Sequence, residues 1–213
     1  MKKTLTLTLL LFSITIYSQT EIDEVVSINF PEKTEVYEQK DKQANAIGHY
    51  YNNEKDSFIF VRSVPVNKGG EEITIYSNTV EKLRDNYKYS SKLLIEKLKE
   101  KTFVVSDSLR ISINGFEAYK LIFKDTISNT KMAESIILEL NGVQYYGIYS
   151  MVSEFSEQRK NDFFNSLTIK NPKKQKQIEP NYSFITGMFK HSLKFVLIII
   201  IIVFIKKLRN KSR

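Results

Sequence analysis

SIILELNGVQYYGIYSMV, residues 135–152, places alternating apolar side chains on both sides of Asn141-Gly142. Asn and Gly tolerate positive φ, which the two-residue turn matching strand twist requires, so the stretch predicts a β-hairpin. Ile136, Leu138 and Leu140 share one face of its first arm, and Tyr145, Tyr149 and Met151 share one face of its second. A slip of one residue would reverse every face, so the alternation also sets the register. The same device recurs upstream, where residues 109–113 and 116–124 flank Asn114-Gly115. Two hairpins in succession predict an antiparallel sheet.

Working outward, SFIFVRSVPV (57–66) is apolar on both faces over 58–61, as expected of an interior strand covered on two sides. Before it, Ile28, Phe30 and Pro31 open a strand-like segment that runs through Val36-Tyr37 to a charged turn at 38–42, and 47–51 supplies another strand. Lys68-Gly69-Gly70 then breaks the chain. Over 79–101 the period changes to about 3.6, with Val80, Leu83, Tyr87, Leu94 and Leu98 on one stripe and Ser90 as its gap, which predicts an amphipathic helix. Asn78 with Glu81 provides its N-cap and return bond. The section 87–91 leaves open a break of this helix into two pieces. Its opposite face carries Lys82, Lys88 and Lys92, either a solvated face or a binding surface. A second helix is expected over 154–168, with Phe163, Phe164 and Leu167 inward. The fold class is α/β (α+β), an antiparallel sheet flanked by helices.

The two ends have a different character. FVLIIIIIVFI (195–205) is eleven apolar residues in a row. At roughly 0.3–0.6 kcal/mol each, these favour insertion by about 3–7 kcal/mol, enough to outweigh the flanking lysines. Crossing a bilayer takes about 20 helical residues, and 186–205 fits that length, with Lys190 and Lys194 snorkelling at its outer end. At the start, Lys2 and Lys3 precede an apolar run over 5–17, then Ser18-Gln19-Thr20 and acidic residues, the pattern of a secretory signal peptide cut before Gln19, an uncleaved anchor being the alternative. The expected organisation is a signal peptide (1–18), an extracytoplasmic α/β domain (19–170), a polar tether (171–185, including PKKQKQIEP), a transmembrane helix (186–205) and a basic cytoplasmic tail (206–213). Export of the domain and the basic tail both place it outside the bacterial cytoplasmic membrane in a single-pass topology.

Charge follows the same division. The chain carries a formal +8, yet residues 19–170 hold 20 Lys and Arg against 23 Asp and Glu, a net −3. The basic excess sits at the ends, where a membrane surface accounts for it better than nucleic acid does. No cysteine is present, which excludes disulfides and thiolate metal sites, and residues 19–170 contain a single histidine, His49. Serines lack a G-x-S-x-G setting, and Lys68-Gly69-Gly70-Glu71 lacks the spacing of a phosphate loop. Glu32, Glu35, Glu71 and Glu72 are the carboxylates that could pair as acid and base. No catalytic, cofactor-binding or metal-binding residue is assigned, and no cofactor is expected.

Ile28-Asn29-Phe30-Pro31, Ile113-Asn114-Gly115-Phe116-Glu117-Ala118, Asn141-Gly142-Val143-Gln144-Tyr145 and Phe163-Phe164-Asn165-Ser166-Leu167 follow one another along the chain. This order of parts resembles the PsbP/Mog1-like superfamily and its bacterial extracytoplasmic relatives. The resemblance covers about 140 residues, 28–169, and excludes the C-terminal tail. It implies an α/β/α sandwich and members that bind or stabilise partner proteins, and it brings no active-site residues. The expected function is therefore a membrane-anchored protein-binding or assembly factor whose partner is another envelope or membrane protein. A carboxylate-based envelope hydrolase and a ligand-carrying or signalling module are the alternatives.

Overall fold

A computed structural model describes residues 18–40, 42, 44–99 and 103–179. The expected signal peptide as far as Tyr17, the remainder of the expected tether, the expected transmembrane helix at 186–205 and the expected cytoplasmic tail lie outside the described residues. Among the described residues no helix is long and apolar enough to cross a membrane.

Among the described residues ten strands and two α-helices form a mixed α+β domain: β1 (Ser18–Glu21), β2 (Val26–Phe30), β3 (Glu35–Lys40), β4 (Ala44–Asn52), β5 (Asp56–Pro65), α1 (Val80–Lys99), β6 (Phe103–Ile113), β7 (Phe116–Asp125), β8 (Lys131–Leu140), β9 (Val143–Met151), α2 (Glu157–Asn165) and β10 (Thr168–Ile169). Seven strands make one antiparallel sheet in the order β3-β4-β5-β9-β8-β7-β6, and β1-β2-β10 make a second. The sequence predicts a single sheet. Separation of β2 from β3 at residues 31–34 creates the second one, and β3 then runs through Glu38 and Lys40, where a turn was expected.

Both Asn-Gly pairs are hairpin turns with positive φ at both residues, 50° and 89° at Asn114-Gly115 and 51° and 72° at Asn141-Gly142. Their closing pairs are Ile113 with Phe116 and Leu140 with Val143. A Cβ on Gly142 would also come within 2.5 Å of the Ile75 backbone, so this turn is pressed against the loop leading to α1. β5 lies inside the sheet between β4 and β9 and is buried on both faces, as its apolar run requires.

Two cores follow from the two faces. One packs Leu83, Tyr87 and Leu94 of α1 over Ile59, Val61, Leu121, Ile137 and Tyr146. The other packs Phe163 of α2, with Val26, Ile28, Phe30 and Ile169 of the small sheet, over Phe58, Ile136, Leu138 and Tyr149. The Phe163 ring meets Phe30 and Phe58 edge-on, with centroids 5.3 and 5.2 Å away, the geometry that aromatic quadrupoles favour.

α1 is one continuous helix. Ser91 Oγ donates to the Tyr87 carbonyl at 2.7 Å, so this hydroxyl of the 87–91 section is satisfied within the helix and does not break it. Its cap is Thr79 rather than Asn78: the Thr79 hydroxyl accepts from the Lys82 N–H at 3.1 Å, and its carbonyl takes the first helical bond, from Leu83. α2 is capped by Ser156, and Leu167 packs inward from beyond its end.

Residues 171–179, read from composition as a polar tether, instead fold back as a strap. Asn171, at φ 48°, turns the chain into a short 3-10 turn, Pro172–Lys174. Asn141 then holds the strap from the hairpin, its N–H donating to the Lys176 carbonyl at 2.7 Å and its side-chain oxygen accepting from the Lys176 N–H at 2.9 Å. Ile178 pairs with Ser77 and packs into the α1 core. Polar composition hides this because the strap bonds mainly through amides, which are as polar when buried as when solvated.

Candidate functional site

The strap meets α1 over a buried polar cluster. Glu139 on β8 is 0% exposed and accepts from Ser77 Oγ at 2.9 Å and from Asn86 Nδ2 at 3.4 Å. Burial pushes its carboxyl up to about 7, against hydrogen bonds from Ser77, Asn86 and Gln144 that act the other way. Tyr87 Oη donates to the Glu117 carbonyl at 2.7 Å and accepts from the Glu139 N–H at 3.1 Å. Gln177 of the strap closes the cluster: its Nε2 donates to the carbonyls of Glu117 (2.7 Å) and Glu139 (3.1 Å) and to Tyr87 Oη (3.1 Å), while its Oε1 accepts from the Glu117 N–H at 2.9 Å. Every strong donor here faces an acceptor, so the cluster fixes where α1 sits on the sheet rather than offering a reactive group.

Fixing α1 leaves a hollow along one side of it. The helix and the outermost strands enclose about 420 Å³, floored by Ile95, Val105, Tyr119 and Leu121 and rimmed by Lys88 and Lys92. Neither lysine makes an ion pair among the described residues. A second, more open hollow of about 630 Å³ follows along β6, beside Arg110, Ile111, Ser112 and Gly115. Arg84 nearby grips Glu117 with two parallel bonds of 2.9 Å, and this partner holds the Glu117 carboxyl below its ordinary value.

The opposite face of the sheet treats its charges differently. Glu134 on β8, 1% exposed, meets Lys160 of α2 at 3.1 Å, Lys120 at 3.3 Å and Lys131. Burial alone would raise this carboxyl, and Lys131, Lys120 and Lys160 together bring it below its usual value. Asp56, fully buried, is held by Arg159 Nε at 2.5 Å and Nη2 at 3.1 Å, and accepts from Tyr149 Oη. These contacts join α2 to the sheet.

The residues singled out in the sequence are scattered. His49 lies on β4, its Nδ1 3.5 Å from Thr34 Oγ1, and burial lowers its pKa. Glu35 accepts from Tyr50, Glu72 pairs with Arg62 at 3.1 Å and Glu71 accepts from Asn67 at 3.0 Å, so these three carboxylates brace β3, β4 and the loop after β5. Glu32 is exposed between β2 and β3. Of the lysine face, Lys88 and Lys92 line the hollow and Lys82 does not. Among the described residues no cluster of three His, Cys, Asp or Glu could hold a metal ion.

No family model and no curated protein matches the chain. Among solved structures, four chains match. One is the solution structure of cyanobacterial PsbP (CyanoP) from Synechocystis sp. PCC 6803, 9% identical over 74% of this chain and 95% of its own, with a TM-score of 0.45. The likeness is to a PsbP fold. It is a likeness of fold alone.

Proposed function

We propose that the domain is a binding module, held by one C-terminal span on the outer side of a bacterial cytoplasmic membrane, and that it acts on a partner protein by contact, without catalysis. The observation that carries this reading is the hollow between α1 and the outer strands: an apolar floor at a sheet edge, rimmed by two lysines that make no ion pair among the described residues. An exposed apolar depression framed by charge is the form of a recognition surface. A hydrolase would instead need two free carboxylates about 5–9 Å apart across a cleft. Glu35, Glu71 and Glu72 are each bound to a structural neighbour.

Anchoring favours such a module, because confinement near other membrane proteins raises its effective concentration and lets a small surface be occupied. Crosslinking the intact protein in its native membrane, with photoreactive groups at Lys88 and Lys92, should capture a membrane or envelope protein. His49→Ala should leave capture unchanged, and deletion of residues 195–213 should release the domain and weaken it. Protease added to spheroplasts should digest the domain and spare the tail. A released domain that keeps full function while His49→Ala abolishes it would replace this reading with an enzyme.

A further inference from the structure

We propose that the open edge of β6 is a docking strand for an extended acidic peptide segment of the partner, which adds a strand to the sheet and seats side chains in the two hollows beside it. The inference deepens the binding reading and rests on it. β6 is the terminal strand of the seven-stranded sheet, paired on one side to β7. A two-residue turn closes on a hydrogen-bonded pair, here Ile113 with Phe116, and such pairs then alternate along the ladder. Ile113, Ile111 and Leu109 therefore bond towards β7, and Ser112, Arg110 and Ser108 turn their backbone groups outward. Asp107 occupies the Ser108 N–H at 2.8 Å. The Ser108 carbonyl and both backbone groups of Arg110 and Ser112 remain, without backbone partners among the described residues.

Two further observations choose the occupant. The hollows succeed one another along this strand, the first beside Val105 and Ser108 and the second beside Arg110 to Gly115, which suits an elongated ligand rather than a compact one. An added strand covering Ser108 to Ser112 would run about 17 Å, and alternate side chains would fall towards the α1 side. The charges that line the two hollows are Lys88, Lys92 and Arg110 against Glu96 and Glu117, and Glu117 is already paired with Arg84, so the remaining excess is positive and favours acidic residues in the ligand. The chain's own residues 180–213 hold seven Lys and Arg and no Asp or Glu, so they are the wrong sign for this edge.

The test uses the full chain in detergent and a labelled peptide of about eight residues alternating Glu and Val, with a Lys-Val peptide as its counterpart. The Glu-Val peptide should bind, measured by anisotropy, and should slow amide hydrogen exchange at Arg110 and Ser112. Lys88→Glu with Lys92→Glu should weaken it at least about tenfold. Arg110→Pro removes an outward N–H, which an edge strand tolerates, together with the Arg110 charge, and should abolish binding while circular dichroism stays unchanged. Equal affinity for the Lys-Val peptide, or binding indifferent to both variants, would overturn the proposal. So would a dimer dissolved by Arg110→Pro in sedimentation, since a second copy would then be the occupant. Membrane crosslinks that survive both variants would move the contact elsewhere and overturn the edge assignment, with the binding reading intact.

Discussion

Glu134 and Glu139 stand five positions apart on β8, on opposite faces of one sheet, and both are almost fully enclosed. Three lysines surround Glu134, and the charged form wins. Hydroxyl and amide donors surround Glu139 with no cation, and burial moves its carboxyl to about 7. The comparison teaches that burial alone does not set the state of a carboxylate: the neighbours supplied by the covering helix do. α2 brings Lys160 and Arg159 to its face, whereas α1 brings Asn86 and Tyr87 to its own and leaves Lys88 and Lys92 for the hollow outside.

The harshest way to break the comparison is Glu134→Ala. It removes the buried carboxylate that Lys120, Lys131 and Lys160 share, leaves the enclosed Lys160 ammonium to the exposed Glu157, and should lower unfolding free energy by about 3–5 kcal/mol in urea titrations. A smaller effect separates the two glutamates by pH. Glu139 has a raised folded pKa, so the stability it contributes is fully present below 4.5, declines between there and about 7, and is absent above. The difference amounts to about 3 kcal/mol. Glu134 has a lowered folded pKa and works in reverse, contributing stability above 4.5 that is lost as pH falls through its folded value. Glu139→Gln should therefore make stability rise more steeply, or fall less, over pH 4.5–7 than the parent does, measured as the difference between the two urea profiles. An unchanged difference would mean that Glu139 is not the neutral member of the pair.

How much of this was readable in advance depends on the range of each interaction. Asn141-Gly142 and Asn114-Gly115 announce their turns within two residues, because positive φ is a local demand. The α1 stripe and the interior strand at 57–66 are likewise periodic properties of one segment. Glu134 carries a weaker signal, a charge at an inward-phased position of an apolar strand, and its lysines come from positions that no local pattern links to it. The hollow was half readable: Lys88 and Lys92 stood out as a face, while its floor at Val105 and Tyr119 depends on a register shifted by the bulge between Val105 and Asp107. Gln177 gave no signal, since its partners lie 38, 60 and 90 residues away.

Gln177→Ala tests that last point. It leaves Tyr87 and the Glu117 and Glu139 backbone groups short of a partner and should destabilise by about 1–3 kcal/mol, less than Glu134→Ala. Smallest of all should be Lys88→Glu with Lys92→Glu, within about 0.5 kcal/mol of the parent, since both are exposed and unpaired. A large loss there would mean that these lysines hold α1 in place and would remove them from the recognition surface.

The strap also gives the domain a clock. A ribosome delivers Tyr87, Glu117 and Glu139 well before Gln177, and for that interval the Glu139 carbonyl has only water to bond and the Glu117 carbonyl only Tyr87 Oη and water. Hairpins and helices can assemble while the chain is still arriving, yet the cluster beneath α1 closes only when the strap at 171–179 does. Chains that stall earlier in synthesis would be compact but unfinished, and distinguishable to a protease from completed ones.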